Sequence, residues 1–187
     1  PFFESRISDF FQKAGRVQLP WRRRDVSAYE VWVSEIMLQQ TQVFRVIPFY
    51  EKFLLRFPTV QSLSVASWEE FLPYYAGLGY YARGRNMLQT AKVIVGEFGG
   101  KFPNNVGILR KLPGIGPYTA AAIASFAFGQ DVLSWDTNLR RVAGRFFLGT
   151  KHITGNEQKL FPLRGNAATG NPFSVRAREF NAALMDF

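Results

Sequence analysis

The chain has 187 residues, 47% of them hydrophobic and 16% aromatic, with 19 Phe. That is enough to bury a core without covalent staples and too apolar for a disordered tail. With no Cys and a single His, His152, it excludes disulfides, thiolate metal sites and Cys nucleophiles, and argues against a His-based triad or metal site.

Charge gives the first positive indication. Lys and Arg number 23 against 14 Asp and Glu, a formal net charge of +9. Such a surplus suits a polyanionic partner, because cations beside phosphates release condensed counterions; plain solubility is the bland alternative. No apolar run approaches the ~18 residues of a membrane span.

The chain punctuates itself as an all-α protein. Phe2, Phe3, Ile7, Phe10 and Phe11 recur at helical spacing and are interrupted by Glu4, Arg6 and Asp9, which is no secretory signal. Ser27 and Glu30 form a capping box that opens a helix to about Thr41. Ser67 and Glu70 repeat the device for a short helix ending before Gly77. A helix through Met87, Ala91, Ile94, Val95 and Phe98 stops at Gly99-Gly100. Val106 and Leu109 lie on a short helix that Pro113 ends. Pro117 suits the first position of a helix that Gly129 terminates. Further helices are expected at about 138–148 and 175–187, with 149–174 loop-like except for a turn around Gln158 to Leu163. The missing initial Met and the apolar pattern running into Phe187 are those expected of an excerpt from a longer protein.

Four constellations carry chemistry. Leu112-Pro113-Gly114-Ile115-Gly116 lies between two short helices. Its glycines bare the backbone at a helix N-terminus, and Ile115 plugs the turn into the core; this suits a phosphate-gripping hairpin, or an ordinary turn between helices. Glu35 is the sole charge in residues 31–44. Burial raises a carboxyl pKa and suits a general acid, although a salt bridge to an arginine is also open. The adjoining Gln39-Gln40-Thr41-Gln42 offers amide donors and acceptors of the kind that read base edges. Asp136-Thr137-Asn138 caps a helix, and Asp136 is also placed to face a developing cation. Finally, residues 74–85 interleave Tyr80, Tyr81 and other aromatics with glycines, Arg83 and Arg85, as in a surface that stacks on bases and meets phosphates, or in a glycine-rich loop with surface arginines.

Together these stretches resemble the MutY-type adenine DNA glycosylases of the helix-hairpin-helix DNA glycosylase superfamily. The matching segments are Leu19 to Arg22, Val31 to Val43, Gly77 to Arg85, Gly99 to Lys101, Leu112 to Thr119, Asp136 to Val142 and Phe180 to Asp186. The resemblance implies an all-α fold with a cleft between two parts. One is a six-helix barrel with the hairpin at 20–130; the other combines 1–19 with 131–187. It implies base-excision repair by a monofunctional hydrolase that releases adenine mispaired with 8-oxoguanine or guanine from duplex DNA. Glu35 would protonate adenine N7 and Asp136 stabilise an oxocarbenium-like sugar, with Tyr118 and Asn138 supporting them. Trp21 and Arg22 would line the adenine pocket, and Gln39, Gln40 and Tyr80 would meet the lesion pair. Gly114, Ile115, Gly116, Arg83 and Arg85 would hold phosphates.

No metal site is implied within the stretch. A 4Fe-4S cluster and an 8-oxoguanine-reading domain would lie beyond Phe187 in the parent protein. The expected partner is mismatched duplex DNA, with no membrane and a monomeric protein, in the bacterial cytoplasm or nucleoid, or in a eukaryotic nucleus or mitochondrion. Three departures stand out: Thr137 where Gly is common, one extra residue between Trp21 and Tyr29, and Ala182 where Gln or Glu is frequent. A thymine mismatch glycosylase is the nearest alternative, but its relatives resemble Arg-Arg at Gln39-Gln40. Endonuclease III-type enzymes carry Lys at Tyr118. A catalytically silent hairpin module would not need both Glu35 and Asp136.

Overall fold

The computed structural model describes residues 2–149 and 177–186. The turn expected around Gln158 to Leu163 and His152 lie outside these residues. Among the described residues every regular element is helical: α1 (Phe2–Ala14), a 3-10 turn (Pro20–Arg22), α2 (Ala28–Leu38), α3 (Val43–Arg56), α4 (Val60–Ser64), α5 (Trp68–Tyr75), α6 (Tyr81–Phe98), α7 (Val106–Leu109), α8 (Pro117–Phe126), α9 (Thr137–Leu148) and α10 (Ala177–Asp186).

Most of the ends obey local chemistry. Ser27 Oγ accepts from the Glu30 amide at 3.2 Å while Glu30 returns a carboxylate to the Ser27 amide at 2.8 Å. Ser67 and Glu70 close the same box on α5. At the other end of α6, Gly99 takes φ +59° and the Gly100 amide reaches back to the Ile94 carbonyl at 2.9 Å, the left-handed stop that glycine permits.

Three stretches depart from the sequence reading. The first is the end of α2, at Leu38 rather than Thr41. The Ile36 carbonyl, which the Gln40 amide would claim in a longer helix, accepts instead from Arg83 at 2.9 Å. Gln40 then turns to φ +57°. The second is α3, a helix with no counterpart in the sequence reading because Pro48 interrupts it. Proline there forfeits one bond near the N-terminus, and burial of Val46, Tyr50 and Phe53, at helical spacing on one face, outweighs the loss. The third is α4, whose small box of Thr59 and Ser62 lacks the Glu or Gln that makes the motif conspicuous.

The buried side chains form two clusters. The larger runs from Leu19 to Ile123 and includes Trp32, Phe53, Phe57, Phe71 and Tyr75. The smaller joins Ile7 of α1 to Leu133 and to Phe180 and Ala183 of α10. α8 packs on α2, and its buried residues 120–124 are Ala-Ala-Ala-Ile-Ala, small enough for close approach of the two helices. α10 packs on α1, α8 and α9. Asn181 makes that junction specific: its amide nitrogen donates to Ser125 Oγ and the Val132 carbonyl, each at 2.9 Å, and its oxygen accepts from the Ser134 amide at 3.0 Å.

Gly84 lies inside α6 with an added Cβ placed 2.6 Å from Phe71 Cε1. Phe71 is fully buried and stacked between Trp68 and Tyr75, so it has no room to yield. Helix propensity alone would make Gly84→Ala stabilising by about 1 kcal/mol. We expect the opposite sign, a loss of roughly 1–3 kcal/mol from overpacking, read as a lowered urea midpoint. A raised midpoint would show that Phe71 can move aside.

Candidate active site

α2 is buried on every side from Val31 to Met37, and Glu35 within it is only 6% exposed. Burial denies its carboxylate water and pushes the pKa from 4.5 up to about 7, against the pull of a hydrogen bond from Tyr118 and the Arg22 charge, while Asp136 adds to the rise. Tyr118 stands on the first turn of α8, where Pro117 occupies the first position. Its hydroxyl also lies 3.9 Å from Met185 Sδ. Burial, and then the neighbouring Glu35 carboxyl, drive the phenol well above its ordinary range. Asp136 precedes α9, its carbonyl accepting from the Arg140 amide at 3.1 Å. Arg22, Glu35, Tyr118 and Asp136, spread over more than a hundred residues of sequence, are thus brought together, with Glu35 and Tyr118 each feeling the other three. The Asn138 side chain lies outside the described residues.

Arg22 is held by a partner that sequence reasoning missed. Both of its terminal nitrogens bond to the two oxygens of Asp186, Nη2 at 3.0 Å, and Nη2 also reaches the Ala182 carbonyl at 3.3 Å. Arg16 adds its amide and Nε to the same carboxylate, each at 2.8 Å. Burial alone would raise the Asp186 pKa, but the hydrogen bonds from Arg22 and Arg16 outweigh it and hold the carboxyl below its ordinary value. The available signal was a lone Asp ending a helix otherwise buried on Phe180 and Ala183. Trp21, expected beside Arg22 in a pocket wall, is buried and packs edge-on against Tyr50 at 5.2 Å.

The remaining predicted residues gather elsewhere. Gln40 and Gly79 border one groove with Thr41, Phe44, Arg45 and Gly77, and Tyr80 beside it is 62% exposed. Arg83, expected on phosphate, turns inward onto the carbonyls of Ile36, Gln39, Leu78 and Gly79. Arg85 is exposed and lies over the Trp68 ring at 4.4 Å. In the hairpin, Ile115 is buried, and Gly114 has φ +72° with space for a Cβ only 2.9 Å from Asn86 Cβ. Thr90 pins the turn through the Pro113 carbonyl at 2.7 Å. No side chain caps the N-terminus of α8 that follows.

The model of the HhH-GPD superfamily base excision DNA repair proteins matches residues 33–160. The chain belongs to this superfamily. Among HhH-GPD relatives it is 40% identical over 184 residues to the adenine DNA glycosylase of Buchnera aphidicola subsp. Baizongia pistaciae, covering 98% of this chain and 51% of that protein. It is 50% identical to the human adenine DNA glycosylase over 151 residues, 76% of this chain and 28% of the human one. The chain therefore spans about half, or less, of the length of these two relatives. A thermostable thymine-DNA glycosylase structure superposes with a TM-score of 0.73 at 25% identity, covering 100% of this chain and 88% of that one. An endonuclease III bound non-covalently to DNA gives 0.74 at 18% identity, over 98% and 82% of the two chains. The all-helical HhH-GPD fold and the likeness to adenine DNA glycosylases read from the motifs are borne out. An iron-sulfur cluster finds no fitting ligands here: the chain has no Cys, and the described residues hold no group of three or more His, Cys, Asp or Glu placed for a metal ion.

Because burial raises the folded Glu35 carboxyl above its unfolded value, the folded state keeps a proton that the unfolded chain releases. Stability should therefore decline as pH rises from 4.5 to about 7 and level off above. Glu35→Gln removes this dependence. Between pH 4.5 and pH 8 the variant should lose less stability than the wild type, by roughly 3 kcal/mol. Urea melts at both pH values measure the difference; identical pH dependences would mean that Glu35 is solvated or fully neutralised.

Proposed function

We propose that the chain is the catalytic part of a monofunctional glycosylase that hydrolyses the N-glycosidic bond of adenine mispaired with 8-oxoguanine or guanine in duplex DNA. The observation that carries this reading is the buried carboxyl of Glu35, poised near neutrality and electrostatically coupled to Tyr118, Arg22 and Asp136. The likeness to adenine DNA glycosylases from bacteria and human supports the choice of base. Structures of the same fold held on DNA support DNA as the partner.

Adenine is a poor leaving group from deoxyribose, so two aids are needed, a proton on the base and an anion near the sugar. The target base must first leave the stack to reach either. Neutral Glu35 donates its proton to N7. The C1′–N9 bond then breaks with its electron pair going to adenine, and Asp136 stabilises the cationic sugar left behind. Water adds to C1′ and gives up a proton, which restores Glu35. The products are free adenine and an abasic site. Tyr118, beside the Glu35 carboxyl, favours its charged form and limits the rise of its pKa. Arg22, clamped by Asp186, supplies the positive charge that limits the rise of the Glu35 pKa. The uncapped N-terminus of α8 and the bare hairpin at Gly114 and Gly116 suit a backbone phosphate.

Single-turnover base release by the full-length protein on A·8-oxoG, A·G, T·G and A·T duplexes tests the reading. Adenine release from the first two is expected; preferential thymine release from T·G would replace it with the thymine mismatch activity. Glu35→Gln and Asp136→Asn should each cost roughly 10³-fold or more in rate while binding persists. The wild-type rate should be flat on the acid side and fall as pH rises through about 7, because only the protonated carboxyl donates.

Monofunctionality has its own test. A phenol cannot form an imine, so borohydride should trap little enzyme on lesion DNA and no efficient strand break should appear without alkali. Tyr118→Lys should gain trapping as burial lowers the amine pKa. Efficient trapping by the wild type would refute the monofunctional mechanism.

A further inference from the structure

We propose that Arg83 is a positioning residue that holds the Gln40 and Tyr80 loops in one shared geometry, acting through the backbone rather than through DNA phosphate. Its consequence for lesion recognition rests on the functional reading above; the clamp itself does not.

The two loops are distant in sequence and each is strained. Gln40, at φ +57°, and Tyr80, at φ +50°, are the two non-glycine residues with positive φ among those described. L side chains leave that region unless their surroundings hold them there. Arg83 touches the chain on both sides. Its Nη1 donates to the carbonyls of Ile36, at 2.9 Å, and Gln39, the residue before Gln40. Its Nη2 donates to the carbonyls of Leu78 at 3.1 Å and Gly79 at 3.3 Å, the latter the residue before Tyr80. The guanidinium carbon also sits 5.1 Å from the centre of the Tyr80 ring. One planar group therefore satisfies carbonyls at the end of α2 and in the turn before α6, and lies on the ring of one of the strained residues.

The chemistry requires arginine. Four acceptors, at the end of α2 and in the turn before α6, need a rigid fork of donors, which a lysine ammonium on a flexible stem cannot present. The clamp is also continuous with the hairpin: a cavity of about 160 Å³ is lined by Gln39 and Arg83 together with Asn86, Pro113 and Gly114. With both terminal nitrogens committed to carbonyls, Arg83 does not offer its fork to phosphate. Releasing it should free both loops together.

Arg83→Lys and Arg83→Gln in the full-length protein separate a clamp from a charge. Amide hydrogen exchange without DNA should rise about tenfold or more at both 38–42 and 77–81 in each variant, with protection of α8 retained. The preference for binding A·8-oxoG over A·T duplex should fall roughly 10- to 100-fold in both, since lysine keeps the charge and loses the fork. The salt dependence of binding to undamaged duplex should not change. The clamp is overturned if exchange changes at one loop or neither, or if both variants unfold globally, which would make Arg83 a residue of the general core. It is also overturned if Arg83→Lys keeps wild-type preference while Arg83→Gln lowers the salt slope by about 0.9, the signature of one lost phosphate contact. A wild type with no preference for A·8-oxoG would instead defeat the substrate reading, and the exchange result would still decide the clamp.

Discussion

Keeping the carboxyl of Glu35 inside a helix buried from Val31 to Met37 is the constraint to which the surrounding structure answers. An ionised carboxylate there is costly unless it is paired or neutral. The protein meets the cost partway. Tyr118 and Arg22 sit near enough to lower its pKa, but burial wins and pushes it up to about 7. A stronger ion pair would have made Glu35 a permanent anion. The alanine-rich face of α8 lets that helix approach α2, and the closeness brings Tyr118 to the carboxyl.

The same constraint explains the architecture of α10. Arg22 lies in a single 3-10 turn and would be mobile on its own. Asp186, with a side chain 1% exposed, fixes it from the far end of the chain and is itself fixed by Arg16. One turn and a half earlier on α10, Asn181 satisfies its amide on Ser125, Val132 and Ser134. It thereby anchors the segment that leads into Asp136. A buried polar group with every partner present makes packing specific, because any other register leaves it unsatisfied. The helix that joins the two ends of the described chain therefore also sets the relative placement of Arg22 and Asp136.

Away from these groups, strain is concentrated where the chain turns back on itself. Gln40 and Tyr80 have positive φ, and the neighbouring Gly77 and Gly79, with Gly114 of the hairpin, take the same region as glycine can without strain. Asn86 crowds Gly114 and borders the same cavity as Arg83. α6 thus supports the glutamine loop, the tyrosine loop and the hairpin from one side, a rigid base for surface elements that are individually unfavourable.

Helix identity was legible where short-range chemistry decides it. The boxes at Ser27 and Ser67, the stop at Gly99-Gly100 and Pro117 at a helix start depend on residues three or four apart, and each occurs as read. The lone charge in an apolar helix likewise marked Glu35 as buried before any fold was known. α3 was not legible, because Pro48 argues locally against a helix that only the burial of Val46, Tyr50 and Phe53 sustains. The direction of Arg83 was hidden too. Arginine beside tyrosine and glycine reads as a surface cation, and its four acceptors lie in two stretches some forty residues apart in sequence. Asp186 escaped for the same reason, since its partners Arg16 and Arg22 lie at the opposite end of the chain. The sequence by itself thus determined most of the helices, several of their caps and the family, because those follow from contacts between near neighbours and from motifs. Only the tertiary structure decided which charges are paired, which loops are clamped and what pKa Glu35 adopts, because those are set by groups that meet only once the chain has folded.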